Sequence, residues 1–248
     1  MPYQIGAEEA RWLLASFEDP SKVTWTLPEQ IANKLAEGII RGVYAPGQHL
    51  QETLLAETFG VSRGPVRDAL RILEREGLVK IQARRGTTVT SLTRKNVNDI
   101  FEVRAALYGT AAAALARQNS PEILALLDNG TEVLSHALDE GNVDQFLALL
   151  YRLSMYLADA AGNEYTRNIL FSLGRQTLSL TRRVMMIEEN RRLWVANWKA
   201  VAKAIRKRDP ESAEEAARML VRTVHRAALE VMEAEEAGRS ETRRVAHA

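Results

Sequence analysis

The sequence contains no cysteine and carries almost no net charge. None of its 248 residues is Cys, and the formal net charge is +1 at pH 7. The absence of cysteine excludes disulfides, thiolate metal ligands and cysteine nucleophiles, and it fits a reducing compartment. A net charge so close to zero does not by itself predict a nucleic-acid partner.

Long apolar runs and a secretion signal are also missing. A helix that crosses a bilayer needs about 20 consecutive apolar residues, and no uncharged stretch approaches that length. The amino terminus, MPYQIGAEEARWLL, lacks the basic start and apolar run of a signal peptide. With 46% apolar and 26% charged residues, the composition is that of an ordinary soluble protein. We therefore expect a cytoplasmic protein with no membrane partner.

Catalytic and metal-binding patterns are not assembled either. The sequence has no glycine-rich phosphate loop, and because no catalytic set emerges we expect no enzyme. The four histidines are His49, His136, His225 and His247. His136 and His225 lie on separate predicted helices, without a second histidine one turn away. Zinc or manganese normally takes three or more protein ligands, so we expect no metal and no other cofactor.

Positive charge is concentrated in one segment of the chain. Residues 60–90 contain seven basic residues against three acidic ones, a local excess of four positive charges. Such a cluster is the electrostatic footprint of a nucleic-acid site. The basic residues are Arg63, Arg67, Arg71, Arg75, Lys80, Arg84 and Arg85.

The same part of the chain has the pattern of a small helical module with a hairpin. Apolar residues recur at helical spacing in LPEQIANKLAEGIIRG, QETLLAETFG and SRGPVRDALRILEREG, and a glycine ends each predicted helix. LVKIQ and TTVTSL alternate like strands on either side of the turn ARRG. Residues 25–92 are therefore predicted to form a winged helix-turn-helix of three helices and a β-hairpin wing. The residues predicted to face its core are Ile31, Leu35, Ile39, Ile40, Leu54, Leu55, Phe59, Val66, Ala69, Leu70 and Leu73.

Strand patterns disappear after Thr93, so the fold class is mainly α. Helices are predicted at 96–118, 121–140, 143–161, 164–187, 190–207 and 210–236, separated by breaks such as NSP and EGN. Residues 93–237 are therefore predicted to be an all-helical bundle. Residues 1–24 are treated as an amino-terminal extension without an assigned role, and residues 238–248 as a flexible tail.

The helix that starts at Ser62 has the features of a DNA-reading helix. In a helix-turn-helix the second helix enters the major groove with its amino end toward the bases, and Arg63 and Arg67 lie one turn apart in that part. Arginine binds guanine or phosphate through two parallel N–H groups, and Gly64 and Pro65 keep the tip small. The alternative is a solvated face, on which Asp68, Glu74 and Glu76 pair with the arginines. That alternative suits Arg71 and Arg75 better, since they lie among the acidic residues.

Two groups of motifs resemble a known family. The APGQHL turn, the helix VSRGPVRDALRILEREGLV and the RRG turn resemble the winged helix-turn-helix of the GntR family of bacterial regulators. The helical remainder, with FEVRAALYGTAAAALA, LADAAGN and AIRKRDPESAEEAARM in order, is similar to the FCD domain of the FadR-type subgroup. The resemblance covers residues 26–234. It implies a homodimeric transcription factor that binds a pseudo-palindromic double-stranded operator and responds to a small molecule.

The resemblance also implies which residues contact DNA. Some relatives have an arginine in the helix before the reading helix, where this chain has Thr53, which makes Thr53 a weaker candidate. Arg84 and Arg85 in the hairpin turn would meet phosphate or the minor groove. The implied contacts are Ser62, Arg63, Gly64, Pro65, Arg67, Thr53, Arg84, Arg85 and Gly86.

The second domain differs at the metal site from the family that it resembles. Many FCD domains hold a divalent metal with one Asp and three His, and the corresponding positions here are Leu150, Ser154, Trp198 and Leu220. The resemblance therefore implies a pocket with few polar groups, for an organic acid or an apolar effector. Arg104 matches an arginine that the family points at acidic effectors, and Tyr108 lies one turn further along the same helix.

Two alternatives stay open at this point. Trp198 could fill the site, so that the second domain only dimerises. The protein could also be an effector-independent or architectural DNA-binding dimer, which would coat DNA without sequence preference.

Overall fold

The computed structural model describes residues 25–118 and 120–245, with side chains described as far as residue 238, and this chain divides into two units. The first unit contains the residues up to Leu92 together with Gly174–Ser179. The second contains Thr93–Leu173 and the residues from Leu180 onward. The predicted extension, 1–24, and the last three residues of the predicted tail, 246–248, lie outside the described residues.

Three helices form the core of the first unit: α1 (Leu27–Arg41), α2 (Glu52–Phe59) and α3 (Arg63–Arg75). Both α1 and α2 pack against α3. The predicted apolar faces of α1 and α3 are confirmed, because Leu35, Val66 and Leu73 are all fully buried. The prediction for α2 is wrong at Leu54, which is 58% exposed, since in the eight-residue α2 only Leu55 and Ala56 turn into the core.

A small antiparallel sheet completes the first unit. Its strands are β1 (His49–Leu50), β2 (Val79–Gln82) and β3 (Gly86–Val89), in the order β1-β3-β2. The predicted hairpin is the pair β2 and β3. The sequence did not predict β1, because two residues are too few to show an alternating pattern. This sheet brings the turn between β2 and β3 next to His49.

One buried ion pair joins the end of α3 to the segment 174–179 within the first unit. Nη2 of Arg175 lies 2.7 Å from Oε2 of Glu76, and the two side chains are 5% and 22% exposed. The contact is an ion pair rather than a well-aligned hydrogen bond. Burial raises the pKa of Glu76, and the nearby positive charges of Arg175 and Arg75 only partly offset that effect.

The described residues of the second unit form helices and the short turns between them, with no strand. Its helices are α4 (Arg94–Gln118), α5 (Pro121–Asp139), α6 (Val143–Ala160), α7 (Glu164–Gln176), α8 (Leu178–Met185), α9 (Glu188–Arg206) and α10 (Pro210–Val245), and the ends of α7 and α8 that meet at Thr177 belong to the first unit. The prediction of a single helix at 164–187 is wrong, because the helix is interrupted at Thr177. There the hydroxyl of Thr177 donates to the carbonyl of Gly174 at 3.2 Å.

Helix α10 also runs further than predicted. It ends at Val245, whereas the sequence pattern predicts an end at residue 236. Polarity suggested fraying, but the residues after Gly238 are mostly adequate helix formers without proline.

The core of the second unit lies around α6. Eleven of the eighteen residues of α6 are buried, more than a single helix face can supply, so the helix is covered on most sides. Helix α4 packs against α6, α9 and α10, and α10 packs against α9. The predicted effector residues therefore come from four helices of one packed bundle.

Candidate nucleic-acid interface and effector-binding region

The amino end of α3 is open to solvent. Ser62 is the N-cap residue, with φ −72° and ψ 167°, and its side chain makes no capping hydrogen bond. Ser62, Arg63 and Gly64 are exposed, and Pro65 is half-buried. Because the first N–H groups of a helix lack internal partners, and because the helix dipole is positive there, such an end attracts anions. The arrangement suits a phosphate group or an acceptor on a base edge.

Ser62 also lies in a G-x-S-x-G pattern, GVSRG, at residues 60–64. In hydrolases this pattern forms a strained turn between a strand and a helix, with the serine at the tip as nucleophile. Here the turn follows a helix, α2, and Ser62 caps the next helix. The context that would make Ser62 a nucleophile is therefore not met.

Arg67 forms an ion pair that the sequence did not predict. Its Nε donates to Oε1 of Glu52 at 3.3 Å, and its Nη2 donates to Oε2 at 2.9 Å. The Arg67 side chain is 55% exposed and that of Glu52 is 33% exposed. The hydrogen bonds from Arg67 hold the pKa of the Glu52 carboxyl below its usual range, although partial burial opposes this effect. Arg67 is thus both oriented and accessible.

The other acidic residues of α3 have separate partners. Asp68 pairs with Arg71 at 3.5 Å, as expected for a solvated face. Oε1 of Glu74 accepts a hydrogen bond from the backbone N–H of Ile81 at 2.9 Å, which ties α3 to β2. Thr53 is exposed on α2, directly after Glu52.

The turn between β2 and β3 carries the second group of predicted DNA contacts. Arg84, Arg85 and Gly86 are all exposed. Arg84 and Gly86 have positive φ, 63° and 78°. Nε2 of His49 lies 2.5 Å from the carbonyl oxygen of Arg85, so the ring nitrogen donates and supports the turn. A Cβ at Gly86 would lie 2.6 Å from Cε1 of His49, which requires glycine there. The sequence predicted the turn but not the support from His49.

All six predicted effector residues are buried in the second unit. Within this set the structure brings Arg104 and Tyr108 together on α4. The Arg104 guanidinium lies 4.9 Å from the centre of the Phe101 ring and 5.9 Å from that of Tyr108. Rings at these distances attract a cation through their faces. The buried residues are Arg104, Tyr108, Leu150, Ser154, Trp198 and Leu220.

Helix α9 supplies two buried indole N–H groups. Trp194 and Trp198 lie one turn apart and are 4% and 0% exposed. Among the described residues, the indole nitrogen of neither has a hydrogen-bond partner. An unpaired buried N–H group costs about 1–3 kcal/mol, so these groups suit an acceptor supplied from outside the chain.

His225 extends the aromatic cluster around Arg104. Its ring stacks on Phe101 with 5.2 Å between centroids and 10° between planes, and Nε2 lies 2.8 Å from Oδ1 of Asn98. Burial lowers the pKa of His225. The sequence did not place His225 here, because His225 and Asn98 are 127 residues apart in the chain.

The residues at the family's metal positions do not fit a metal. Leu150, Trp198 and Leu220 carry no ligand atom, and the hydroxyl of Ser154 alone makes a poor site. Within the described parts of the chain, no group of three or more His, Cys, Asp or Glu residues is placed to hold a metal ion. No helix among them is long and apolar enough to span a membrane.

Comparison with known proteins matches both parts of the chain. Residues 27–89 match the model of bacterial regulatory proteins of the gntR family, and residues 99–223 match the FCD domain. The HTH-type transcriptional regulator YdhC of Bacillus subtilis is 35% identical over 57% of this chain, a match that spans only 63% of that regulator. An HTH-type regulator from the TAR-I ttuE-ttuC' intergenic region of Agrobacterium vitis is 33% identical over 46% of this chain and 68% of its own length.

A solved structure supports the same fold. The structure of McbR/YncC from Escherichia coli superposes with a TM-score of 0.70, covering 86% of this chain and all of that one at 20% identity. The mainly helical fold predicted from the sequence, a winged helix-turn-helix followed by an all-helical domain, is therefore confirmed. With the two domain models in the expected order, this chain belongs to the GntR family of bacterial regulatory proteins, in the group whose second domain is an FCD domain.

Proposed function

We propose that this chain is a ligand-responsive transcriptional regulator rather than an enzyme, and that it binds a pseudo-palindromic DNA operator as a homodimer. The observation that carries the proposal is the exposed amino end of α3. There Arg63 and an oriented Arg67 follow Ser62, the N-cap residue, whose side chain makes no capping hydrogen bond. This end would enter the major groove, and the wing at Arg84–Gly86 would contact the backbone beside it. Bacterial DNA lies in the cytoplasm, so the proposal implies a cytoplasmic protein.

A pair of arginine substitutions on α3 tests the DNA interface. Operator duplexes would first be selected from a random-sequence pool by the wild-type protein. Arg67→Ala should then lose most of its affinity for the selected duplex, because one bidentate base contact contributes about 1–3 kcal/mol. Arg75→Ala removes the same charge from the far end of α3 and should change affinity little. An Arg67→Ala protein that binds the selected duplex normally would contradict the proposed interface.

The dimer predicts the form of the operator. Two reading helices related by a two-fold axis contact half-sites whose centres are about 34–36 Å apart, one turn of DNA, or a multiple of it. Footprinting should therefore show a short protected palindrome, and sedimentation should give the mass of two chains. The alternative, an architectural dimer, would protect DNA without sequence preference.

For the second unit we propose an effector that carries a hydrogen-bond acceptor, such as an organic acid. The Arg104 guanidinium lies beside the rings of Phe101 and Tyr108, and a guanidinium binds a carboxylate through N–H groups that lie in its own plane. The unpaired indole N–H of Trp198 offers a further donor. Leu150 and Leu220 add apolar surface, and Ser154 a small hydroxyl. Effector binding and DNA affinity would then be thermodynamically coupled.

Calorimetry separates this effector from a domain that only dimerises. A panel of small carboxylic acids would be titrated into the wild-type protein, with the corresponding primary amides as neutral partners. At least one acid should bind, and Arg104→Ala should weaken that binding more than Lys199→Ala, which removes an exposed charge next to Trp198 on the same helix. If no acid binds, or if both variants bind equally well, Arg104 is not the anchor.

A further inference from the structure

We propose that Glu52 is a specificity-determining residue of the DNA interface, which acts by fixing the guanidinium of Arg67 in one orientation. The inference rests on the proposed function, because it takes Arg67 as a base-reading residue. Glu52 is the first residue of α2, and Arg67 follows it by fifteen positions on α3. The pair therefore joins the two helices of the helix-turn-helix.

The geometry leaves one edge of Arg67 free. A guanidinium has five N–H groups in one plane. Glu52 accepts from Nε at 3.3 Å and from Nη2 at 2.9 Å, so it occupies the edge formed by those two nitrogens. The two N–H groups on Nη1 and the second one on Nη2 remain. These form the end of the side chain, and two of them are parallel, as bidentate recognition of guanine O6 and N7 requires.

Holding the guanidinium in place also reduces the entropy lost on binding. A free arginine side chain samples many rotamers, and a base contact must select one of them. Because Arg67 is 55% exposed while paired, the ion pair restricts its orientation without covering the end that would meet DNA. Pre-orientation of this kind favours a contact to a base edge, which requires one geometry, over a contact to a phosphate, which can be approached from many directions.

The charge of Glu52 acts in the same direction. Its pKa is held low, first by the hydrogen bonds from Arg67 and further by the positive charges of Arg67, Arg63 and Arg71, so the carboxylate is ionised at neutral pH. A carboxylate beside the interface repels phosphates, and nonspecific binding depends almost entirely on phosphate contacts. Glu52 should therefore weaken nonspecific binding more than operator binding.

The test compares two duplexes and two charge-neutralising substitutions in the full chain. Dissociation constants would be measured at one salt concentration, for a duplex selected from a random pool by the wild-type protein and for the same duplex with shuffled sequence. Glu52→Gln should bind the selected duplex more weakly and the shuffled one more tightly. The dissociation constant for the shuffled duplex divided by that for the selected duplex should therefore fall about tenfold. Asp68→Asn is the matched control, since Asp68 pairs with exposed Arg71 on the same helix, and it should leave the ratio unchanged.

A double substitution shows whether Glu52 acts through Arg67. In an Arg67→Ala background, Glu52→Gln should alter the ratio much less, because only the repulsion between the carboxylate and the phosphates is then removed. Circular dichroism and thermal midpoints would verify that each variant folds, and Glu52→Asp, which keeps the charge but shortens its reach, should lie between wild type and Glu52→Gln. If Glu52→Gln strengthens the binding of both duplexes by the same factor, Glu52 only neutralises part of the charge of Arg67, and the inference is overturned. If Arg67→Ala itself binds the selected duplex normally, the proposed interface fails first.

Discussion

Adding one methyl group at Gly64 should separate folding from DNA binding. Gly64 is the second residue of α3, its φ is not positive, and a Cβ built on it meets no heavy atom within 4 Å. Gly64→Ala therefore introduces no clash in the free protein. Such a substitution stabilises a protein by about 0.4–1 kcal/mol, because it restricts the unfolded chain. The thermal midpoint of the first unit should rise by about 2–8 °C.

The effect on DNA binding should have the opposite sign. If the amino end of α3 lies against the bases, the methyl group holds the helix back by up to about 1.5 Å. A base contact near 2.9 Å would then lengthen beyond about 3.5 Å and be lost. One bidentate contact contributes about 1–3 kcal/mol, so affinity for the selected duplex should fall about 5- to 150-fold.

The assay is fluorescence anisotropy with the selected duplex, alongside calorimetric melting of the same samples. Gly238→Ala is the matched control: it makes the same change on α10, where a Cβ also meets nothing within 4 Å, and it should leave DNA affinity unaltered. A Gly64→Ala protein that is at least as stable as wild type and binds the duplex equally well would refute the close approach of α3 to DNA.

Three further predictions follow from single contacts. Gly86→Ala should destabilise the wing, seen as faster amide exchange over β2 and β3, because φ is +78° and the new Cβ would lie 2.6 Å from His49; unchanged exchange would count against it. Arg175→Met should lower the thermal midpoint more at pH 8 than at pH 5. Burial already raises the pKa of Glu76, and a folded protein that contains a carboxyl with a raised pKa loses stability as the pH rises through that pKa. A loss that is flat with pH would argue against the pair. The pKa of His225, measured by NMR, should lie below its ordinary value, because burial disfavours the charged ring. The folded state should then lose stability as pH falls through that pKa. A pKa at or above the ordinary value would contradict the prediction.

Periodic burial made the helices of the first unit predictable from sequence. The apolar residues of α3 recur at helical spacing, and Val66, Leu70 and Leu73 are buried as expected. Their burial depends on their own local pattern, which a single sequence contains. Leu54 shows the limit of that reasoning, because an eight-residue helix with adjacent leucines does not indicate which leucine faces inward.

Contacts between distant residues could not be predicted in the same way. The sequence suggested three acidic partners for the arginines of α3, all within the same helix, yet Arg67 pairs with Glu52 on α2. Likewise, His49 supports the wing from thirty-six residues away. Such pairs depend on how helices and strands pack, so local spacing contains no signal for them. The one available signal was a carboxylate at the start of the helix that precedes the reading helix.

In the second unit the sequence predicted burial better than chemistry. The substituted metal positions are all buried, in agreement with an apolar interior. The cluster of Arg104, Phe101 and His225 depends on the packing of α4 against α10. Because two distant helices supply these groups, only the folded bundle shows which polar groups lie among aromatic rings.

Selectivity for DNA in this chain must come from a few well-placed contacts rather than from bulk charge. Residues 60–90 carry +4 and the whole chain +1, which leaves −3 for all the other residues. Nonspecific affinity scales with the number of neutralised phosphates, and a chain with this balance can neutralise few of them. An arginine held by a carboxylate and a glycine with open space around it add nothing to such nonspecific binding, but both favour a close and oriented approach to bases. We therefore expect Gly64→Ala to lower specific affinity with little change in nonspecific affinity, and Glu52→Gln to lower the ratio of specific to nonspecific affinity by weakening the first and strengthening the second.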